Sequence, residues 1–448
     1  MDIEPLMASW TAWAVCWSVE SIASIPASPA GVWARHAVAT ERATSTAVAA
    51  AASLVMGGNL MITMFDVAVV GAGPAGATAA LTLARHGLSV ALLERGALPR
   101  YKTCGGGLVA RALALLPPEV DRVLERRCPQ AELHLFDANR HYRAAREPPA
   151  PPIIAMTMRD RLDQLLASAA VAAGAALRAP CTVRGVSHGP REVRLETDAG
   201  PVTAAFVIAA DGATGELARL AGWDDGRHLI PALEYEVRVD DATLDRFARV
   251  PRFDVGVIPH GYAWVFPKTG HLSVGVLTTH RGAINLHRQL EEYLRVIGLA
   301  PRAMERHGFV IPVRPRAGPL ARERMLLVGD AAGLADPVTA EGISPAARSG
   351  GLAADAIIAS ELDPPRARAG YHTALQPMLA ELRVARMLAR LLYEHPRARR
   401  WVFGRVGQRL VEAITDVFMG ARTYRESVAG FVAALALRPS TRSYTASS

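Results

Sequence analysis

Lysine is almost missing from this chain. Of 50 basic side chains only Lys102 and Lys268 are lysines; the rest are arginines. Cysteine is scarce as well. Cys16, Cys104, Cys128 and Cys181 include no C-x-x-C pair. That argues against a disulfide framework and, with no histidine-rich spacing, against a metal site. The thiols are read as reduced and the protein as cytoplasmic. Aromatic residues make up only 6% of the chain, and no basic run is interleaved with them, so nucleic acid is not an expected partner. Residues 43–65 carry no charge and are long enough to span a bilayer, but they are mostly Ala, Ser, Thr and Gly, which gain little from lipid.

At 448 residues the chain is long enough for two or three domains with a sizeable core. The net charge of +8 suits an acidic partner such as a phosphate-bearing cofactor or an anionic membrane. Residues 1–63 differ from the rest. Their acids (Asp2, Glu4, Glu20, Glu41) outnumber their bases (Arg35, Arg42), unlike a transit peptide or a signal peptide. They are read as a disordered extension, or as sequence ahead of a start at Met61 or Met64.

From Phe65 the pattern becomes orderly. FDVAVV is a short buried strand, GAGPAGATAALTLARHG a glycine turn and an alanine-rich helix, and LSVALLER a second buried strand. This β-α-β unit implies a parallel sheet. Further strands are expected at CTVRGVS, EVRLETDA and FVIAADG, and hairpin-like alternation marks EYEVRVD, FDVGVIP, YAWVFP and HLSVGVL. MLLVGDAAG reads as another buried strand, followed by a long helix near 342–360. From about residue 365 the pattern is helical, with breaks expected at Pro377, Pro396 and Pro439.

Gly71-x-Gly73-x-x-Gly76, with Pro74 and Ala75 inside it, lies between the first strand and its helix. Gly71 permits the tight turn, Gly73 a close approach of backbone to a pyrophosphate, and Gly76 close packing of helix on strand. The helix N-terminus favours the anion. Glu94 ends the second strand, where an acid can accept hydrogen bonds from a ribose. Strands ending in Asp211-Gly212 and Gly329-Asp330 place acids at the carboxyl edge of the sheet, and Gly342 begins a helix near it. In that order they favour an extended FAD over NAD. The expected fold is α/β. It comprises a Rossmann-like FAD-binding domain (64–230 and 315–360), an inserted mostly antiparallel β-sheet substrate domain (231–314) and a C-terminal helical region (361–448).

The stretches DVAVVGAGPAGATAA, PRYKTCGGGL, MRDRLDQLL, VIAADGATGELAR, GYAWVFPK with HLSVGV, and GDAAGLADPVTAEGI together resemble the geranylgeranyl reductase family of flavoproteins, with a p-hydroxybenzoate hydroxylase-like fold. The K-x-C-G-G and Y-x-W-x-F-P stretches are its specific marks. The resemblance implies non-covalent FAD and reduction of prenyl double bonds on lipids, quinones or tetrapyrroles. It places FAD contacts at Ala75, Glu94, Arg95, Cys104, Gly105, Arg159, Val183, Asp330, Gly342 and Ile343. Lys102 and Gly107 belong to the same loop as Cys104. Two departures stand out: Gly275 is followed by Val276 and Leu277, where a leucine would narrow a substrate channel, and ATGELAR carries a glycine where serine is common.

An isolated alkene has no carbonyl to polarise it, so its reduction takes a hydride at one carbon and a proton at the other. A thiol with a pKa of about 8.5 is mostly protonated at neutral pH. Cys104 is therefore either the proton donor or a residue that packs on the flavin. Lys102 and Lys268 are placed near the site if a compact ammonium matters there; chance placement is the other reading. Tyr262, Trp264 and Phe266 alternate and share one face of a strand, as an aromatic wall for a prenyl chain or as core. His260 and His271 receive no role. From Glu361 onward 14 arginines face 7 acids, and the amphipathic pattern there suits peripheral contact with an anionic membrane or a solvated helix face. The electron donor is open between NADPH and ferredoxin. Competing functions are an FAD-dependent aromatic monooxygenase, which generally lacks YKTCGGGL, a flavin-dependent halogenase, expected to carry W-x-W-x-I-P, and a non-enzymatic flavin or lipid carrier.

Overall fold

The computed structural model describes residues 64–436 apart from 225, 249, 281 and 283. The expected extension 1–63, Cys16 and Pro439 lie outside the described residues. Valine, alanine and leucine buried on both faces make the parallel centre of the first sheet. Met64–Val70 runs between Val202–Ala209 and Val90–Leu93. From one edge the order is Ala321–Arg322, Met325–Leu327, Val202–Ala209, Met64–Val70, Val90–Leu93, Ala176–Arg178. Val193–Thr197 and Val183–His188 branch off Val202–Ala209 as an antiparallel pair.

The helix Pro74–Arg85 packs against the helix Ile343–Ala359 almost backbone to backbone. A Cβ on Gly350 would sit 2.1 Å from the Ala75 carbonyl oxygen, so only glycine permits the contact. It brings the N-termini of two long helices to the same edge of the sheet.

The second sheet has seven strands: Ala303–Pro312, Leu229–Arg238, Leu272–Thr278, Gly261–Pro267, Arg252–Val255, Gln130–Leu135 and Arg140–Ala145, in that spatial order. Its neighbours are antiparallel except Arg252–Val255 beside Gln130–Leu135. The substrate sheet is thus not confined to 231–314. It also takes in 130–145, a hairpin that the sequence reading leaves inside the FAD-binding domain. That hairpin lies at the sheet edge and is half exposed, and its pattern of polar residues hides a weak alternation.

Period-two alternation gives this sheet two different faces. Tyr235, Val237, Val265, Val274 and Val276 pack on the helix Leu286–Val296 through Leu290, Tyr293 and Leu294. The opposite face carries Ile230, Ala232, Tyr262, Trp264 and Leu277 into a core shared with Leu108, Ile343 and Phe418. The C-terminal helices are Pro364–Glu394, Pro396–Met419 and Tyr424–Ala436. Pro377 does not break the first of them, against expectation. It removes one backbone hydrogen bond, but Tyr371, Leu375, Leu382 and Ala385 are buried on either side of it and hold the helix to the core. Pro396 does start a new helix, at its first turn, where proline is tolerated. No helix among the described residues is long and apolar enough to cross a membrane.

Candidate active site

A cleft of about 510 Å³ opens where the carboxyl edge of the parallel sheet meets the aromatic face of the second sheet. Of the candidate catalytic, substrate-wall and cofactor-binding residues given a role from the sequence, Gly76 and Lys268 are outside its lining and the others, from Gly71 and Glu94 to Cys104, Trp264 and Asp330, are in it. Gly76 is packed beneath the turn: a Cβ there would lie 1.9 Å from the Gly71 carbonyl oxygen. Gly71 itself has φ +105° and faces the Ala210 carbonyl, so both positions demand glycine.

The cleft has the attributes of a dinucleotide cradle. Gly73 and Gly342, which precede the two long helices, provide no side-chain cap. The first-turn N–H groups of the helix Pro74–Arg85 therefore remain available to an anion, whereas in the helix Ile343–Ala359 the Ser344 N–H is already taken by Glu341 Oε1 at 2.6 Å. Pro74, Ala75 and Ile343 continue those turns along the wall. Arg95 and Val183 line the side near Glu94.

Glu94 holds the turn from within. Its Oε2 accepts the Ala72 N–H at 2.9 Å and its Oε1 the Gly96 N–H at 3.1 Å. Arg100, which sequence reasoning missed, binds both Glu94 and Asp163 at 3.0 Å. Burial pushes the Glu94 carboxyl up, but Arg100 and the two amides outweigh it and leave it below the ordinary value. Asp163, fully buried, is clasped by Arg159 through Nε and Nη2, each at 2.9 Å. This chain of four charges aims the Arg159 guanidinium toward the glycine turn, since Arg159 Nη2 is the nearest atom to a Cβ built on Gly73, at 3.9 Å. Only Glu94 and Arg159 carried a sequence signal. Arg100 and Asp163 belong to unremarkable local patterns and meet across 63 residues of chain.

The two acids at the sheet edge behave differently. Asp211 turns back, accepting the Leu217 N–H at 2.8 Å through Oδ2, while its Oδ1 is buried without a partner. Gly215 makes this possible, because a Cβ there would lie 2.1 Å from the Asp211 Cγ. That is one physical reason for glycine within ATGELAR. Asp330 is faced by Lys102 and Arg159; burial nevertheless holds its carboxyl above the ordinary value.

The glycine loop lies against the aromatic wall. A Cβ on Gly105 would be 2.9 Å from Phe266 Cδ2 and 3.0 Å from Trp264 Nε1. Gly106 (φ +64°) is pressed on Lys268 Nζ and the Thr157 carbonyl, and Gly107 is close to Phe266. The Cys104 Sγ accepts the Gly106 N–H at 3.4 Å. Tyr262, Trp264 and Phe266 project from one strand face into the cleft, and Leu277 and Phe418 close in beside them. The Tyr262 hydroxyl donates to the Thr339 carbonyl, while the buried Trp264 Nε1 has no partner.

Both lysines are close to this loop. Lys102 lines the cleft with Nζ 3.2 Å from the Phe309 ring centre, and burial, with Arg159 nearby, pushes its ammonium down to about 8. Lys268 is fully buried behind Gly106 and donates to the Thr157 carbonyl at 2.7 Å. Sequence reasoning also missed Glu234. It is buried, lines the cleft, and accepts the Cys104 N–H at 2.7 Å. Its strand reads as an ordinary alternating one, and nothing local says which face meets the cysteine.

The chain belongs to the FAD binding domain family, whose model matches residues 64–359. It is an FAD-dependent oxidoreductase of geranylgeranyl reductase type. It is 33% identical over 331 residues to digeranylgeranylglycerophospholipid reductase 2 of Methanothermobacter thermautotrophicus, covering 67% of this chain and 80% of that one. It is 31% identical over 318 residues to the chloroplastic geranylgeranyl diphosphate reductase of Nicotiana tabacum, covering 65% of this chain and 66% of the plant protein. Among solved structures, a geranylgeranyl bacteriochlorophyll reductase-like protein of Thermoplasma acidophilum shares the fold with TM-score 0.66 and 24% identity, covering 83% of this chain and 99% of that one.

Proposed function

We propose that the protein saturates isolated double bonds of a prenyl chain carried by a lipid, quinone or tetrapyrrole. The observation that carries the reading is the cysteine-glycine loop laid against Trp264 and Phe266, where Tyr262, Leu277 and Phe418 add an apolar wall to the cleft. The relatives named above act, by name, on geranylgeranyl groups, which agrees with it.

The residues fit the cofactor. Gly71, Gly73, the open turn at Pro74–Ala75 and the turn at Gly342–Ile343 would hold the pyrophosphate and ring edges, Glu94 and Arg95 would flank the adenosine end, and Arg159, Asp330 and Lys102 would lie between. When bound, FAD supplies the hydride. The chain does the rest. Gly105 and Gly107 let the loop approach without side-chain collision. Tyr262, Trp264, Phe266 and Leu277 align the alkene and exclude water. Cys104 holds a proton on Sγ for the second carbon. NADPH or a ferredoxin provides the electrons, and the arginine-rich C-terminal helices bring the protein to the membrane where such substrates reside.

The deciding experiment is anaerobic. The flavin is reduced in the purified protein, prenyl compounds are added, and mass spectrometry reports which gain two hydrogens. Gain on a prenyl chain, with flavin reoxidation, is the expected result. Oxygen-dependent NADPH consumption with an aromatic substrate, and no prenyl product, would overturn it in favour of a monooxygenase.

A further inference from the structure

Behind the glycine loop the second sheet carries acid–base side chains that the reduction, as derived so far, leaves unused. Glu234 and Glu236 are two residues apart on one strand and so share a face. Both are buried. Glu234 reaches the cleft, where its Oε2 accepts the Cys104 N–H at 2.7 Å; its Oε1 pairs with the Ser273 hydroxyl. Glu236 is next along the strand; both its carboxylate oxygens are buried without a hydrogen bond, and its Oε2 stands 2.9 Å from His271 Nε2 as an ion-pair contact. The His271 side chain is 19% exposed. Glu236 thus lies between a partly exposed histidine and a glutamate that lines the cleft.

We propose that His271, Glu236 and Glu234 form a proton path from the surface to the reduction site, with Glu234 as the acid that supplies the proton beside Cys104. The inference rests on the prenyl-reductase reading. It deepens that reading by naming where the proton comes from. Reduction of one C=C bond adds a hydride, from the flavin that the electron donor has reduced, and one proton. The proton leaves the Glu234 carboxyl, directly or by way of the Cys104 thiol. The resulting carboxylate takes a proton from Glu236, Glu236 from the His271 imidazolium, and the imidazole from water. One proton enters for each bond saturated, and no group is consumed.

The surroundings favour a proton on Glu234. Burial and the adjacent Glu236 push its carboxyl up to about 7, with Ser273, Lys268 and the Cys104 amide opposing. His271 is pulled down by burial, but its contact with Glu236 prevails and keeps it above its ordinary value. Tyr101 and Lys102 face this region from the glycine loop, and Glu305 and His307 from the neighbouring strand, where Glu305 is opposite Glu236 and His307 opposite Glu234. Lys268, pushed down by burial with Glu236 and Glu234 opposing, lies on the far side of Gly106.

Two measurements on the FAD-loaded full chain test the path. The first needs no substrate. Infrared difference spectra across a pH titration are expected to show the carbonyl stretch of a buried protonated carboxyl that titrates near pH 7 and is missing in Glu234→Gln. On transfer to D₂O this band shifts, and His271→Gln is expected to slow that exchange at least about tenfold. A wild-type spectrum without the band, or exchange that His271→Gln leaves unchanged, overturns the proposal. The second follows reoxidation of the reduced flavin by geranylgeranyl diphosphate. Glu234→Gln, which keeps one acceptor oxygen for the Cys104 N–H and turns an amide donor toward the Ser273 hydroxyl, is expected to slow the first turnover on the order of 100-fold, the range typical of a lost general acid. His271→Gln spares the first turnover and slows later ones. Wild-type rates in Glu234→Gln overturn the proposal. If geranylgeranyl diphosphate fails to reoxidise even the wild type, it is the substrate reading that falls, and the infrared measurement still decides the path.

Discussion

Single atoms decide the shape of the cleft. A Cβ on Gly275 would lie 2.0 Å from Trp264 Cζ2, so the indole lies flat over a position that only glycine leaves open. Gly275→Ala must displace the indole or bend the strand, and overpacking of this kind costs about 1–3 kcal/mol. Urea unfolding is expected to show that loss, and prenyl reduction to fall with it. Cys104→Ala isolates the thiol. With FAD retained by absorbance, the proposed donor role predicts a large loss of prenyl reduction, whereas unchanged turnover would leave Cys104 a packing residue. Glu234 gives a pH signature in stability. Its carboxyl binds a proton up to about 7 in the folded chain, against an ordinary value of 4.5. Its contribution to stability is therefore complete below about pH 4.5 and is lost as pH rises through 7. Glu234→Gln, neutral throughout, should gain on the wild type across that window, on the order of 3 kcal/mol at its upper end, as read by denaturant midpoints.

At the level of elements, the aromatic strand Gly261–Pro267 and its neighbour Leu272–Thr278 form the ceiling of the cleft. Tyr262 is paired in register with Leu277, and both side chains line the cavity. Leu277 is therefore placed to limit the depth available to a chain. Leu277→Ala is expected to admit longer or bulkier prenyl substrates, seen as a fall in KM for the longer member of a substrate pair with kcat little changed. The two helix N-termini at this edge were legible from their glycines, because a turn of that geometry has few sequence solutions. The seven-stranded sheet was only partly legible. EYEVRVD, YAWVFP and HLSVGVL alternate plainly and lie close together in the chain, but RHYRAA is an edge strand with polar residues on both faces, and QAELHL, although it alternates, pairs with Arg252–Val255 across more than a hundred residues of chain. Pro377 misled for a related reason: propensity is local, and the buried face of Pro364–Glu394 overrides it.

For the molecule as a whole, charge is uneven. The C-terminal helices carry a cluster in which Arg386 is held down by burial and by Arg314, Arg383 and Arg390, and Met387 and Trp401 are exposed nearby in sequence, at 37% and 38%. Exposed apolar side chains on arginine-rich helices suit a peripheral membrane face. Cosedimentation with anionic liposomes is expected at low salt, with release as salt is raised. No binding at low salt would remove membrane contact from the proposal.

Sequence alone determined the cofactor end of this protein. The phosphate turn, its helix and the acid after the second strand are contiguous, so short-range sterics specify them and every glycine has a local reason. Tertiary structure decided what meets the cysteine loop. Arg100 joins Asp163, Glu234 reaches the Cys104 amide, and Lys268 slips behind Gly106 only when strands distant in the chain are laid side by side. Burial, which pushes the Glu234 carboxyl up and the Lys268 ammonium down, exists only once they are.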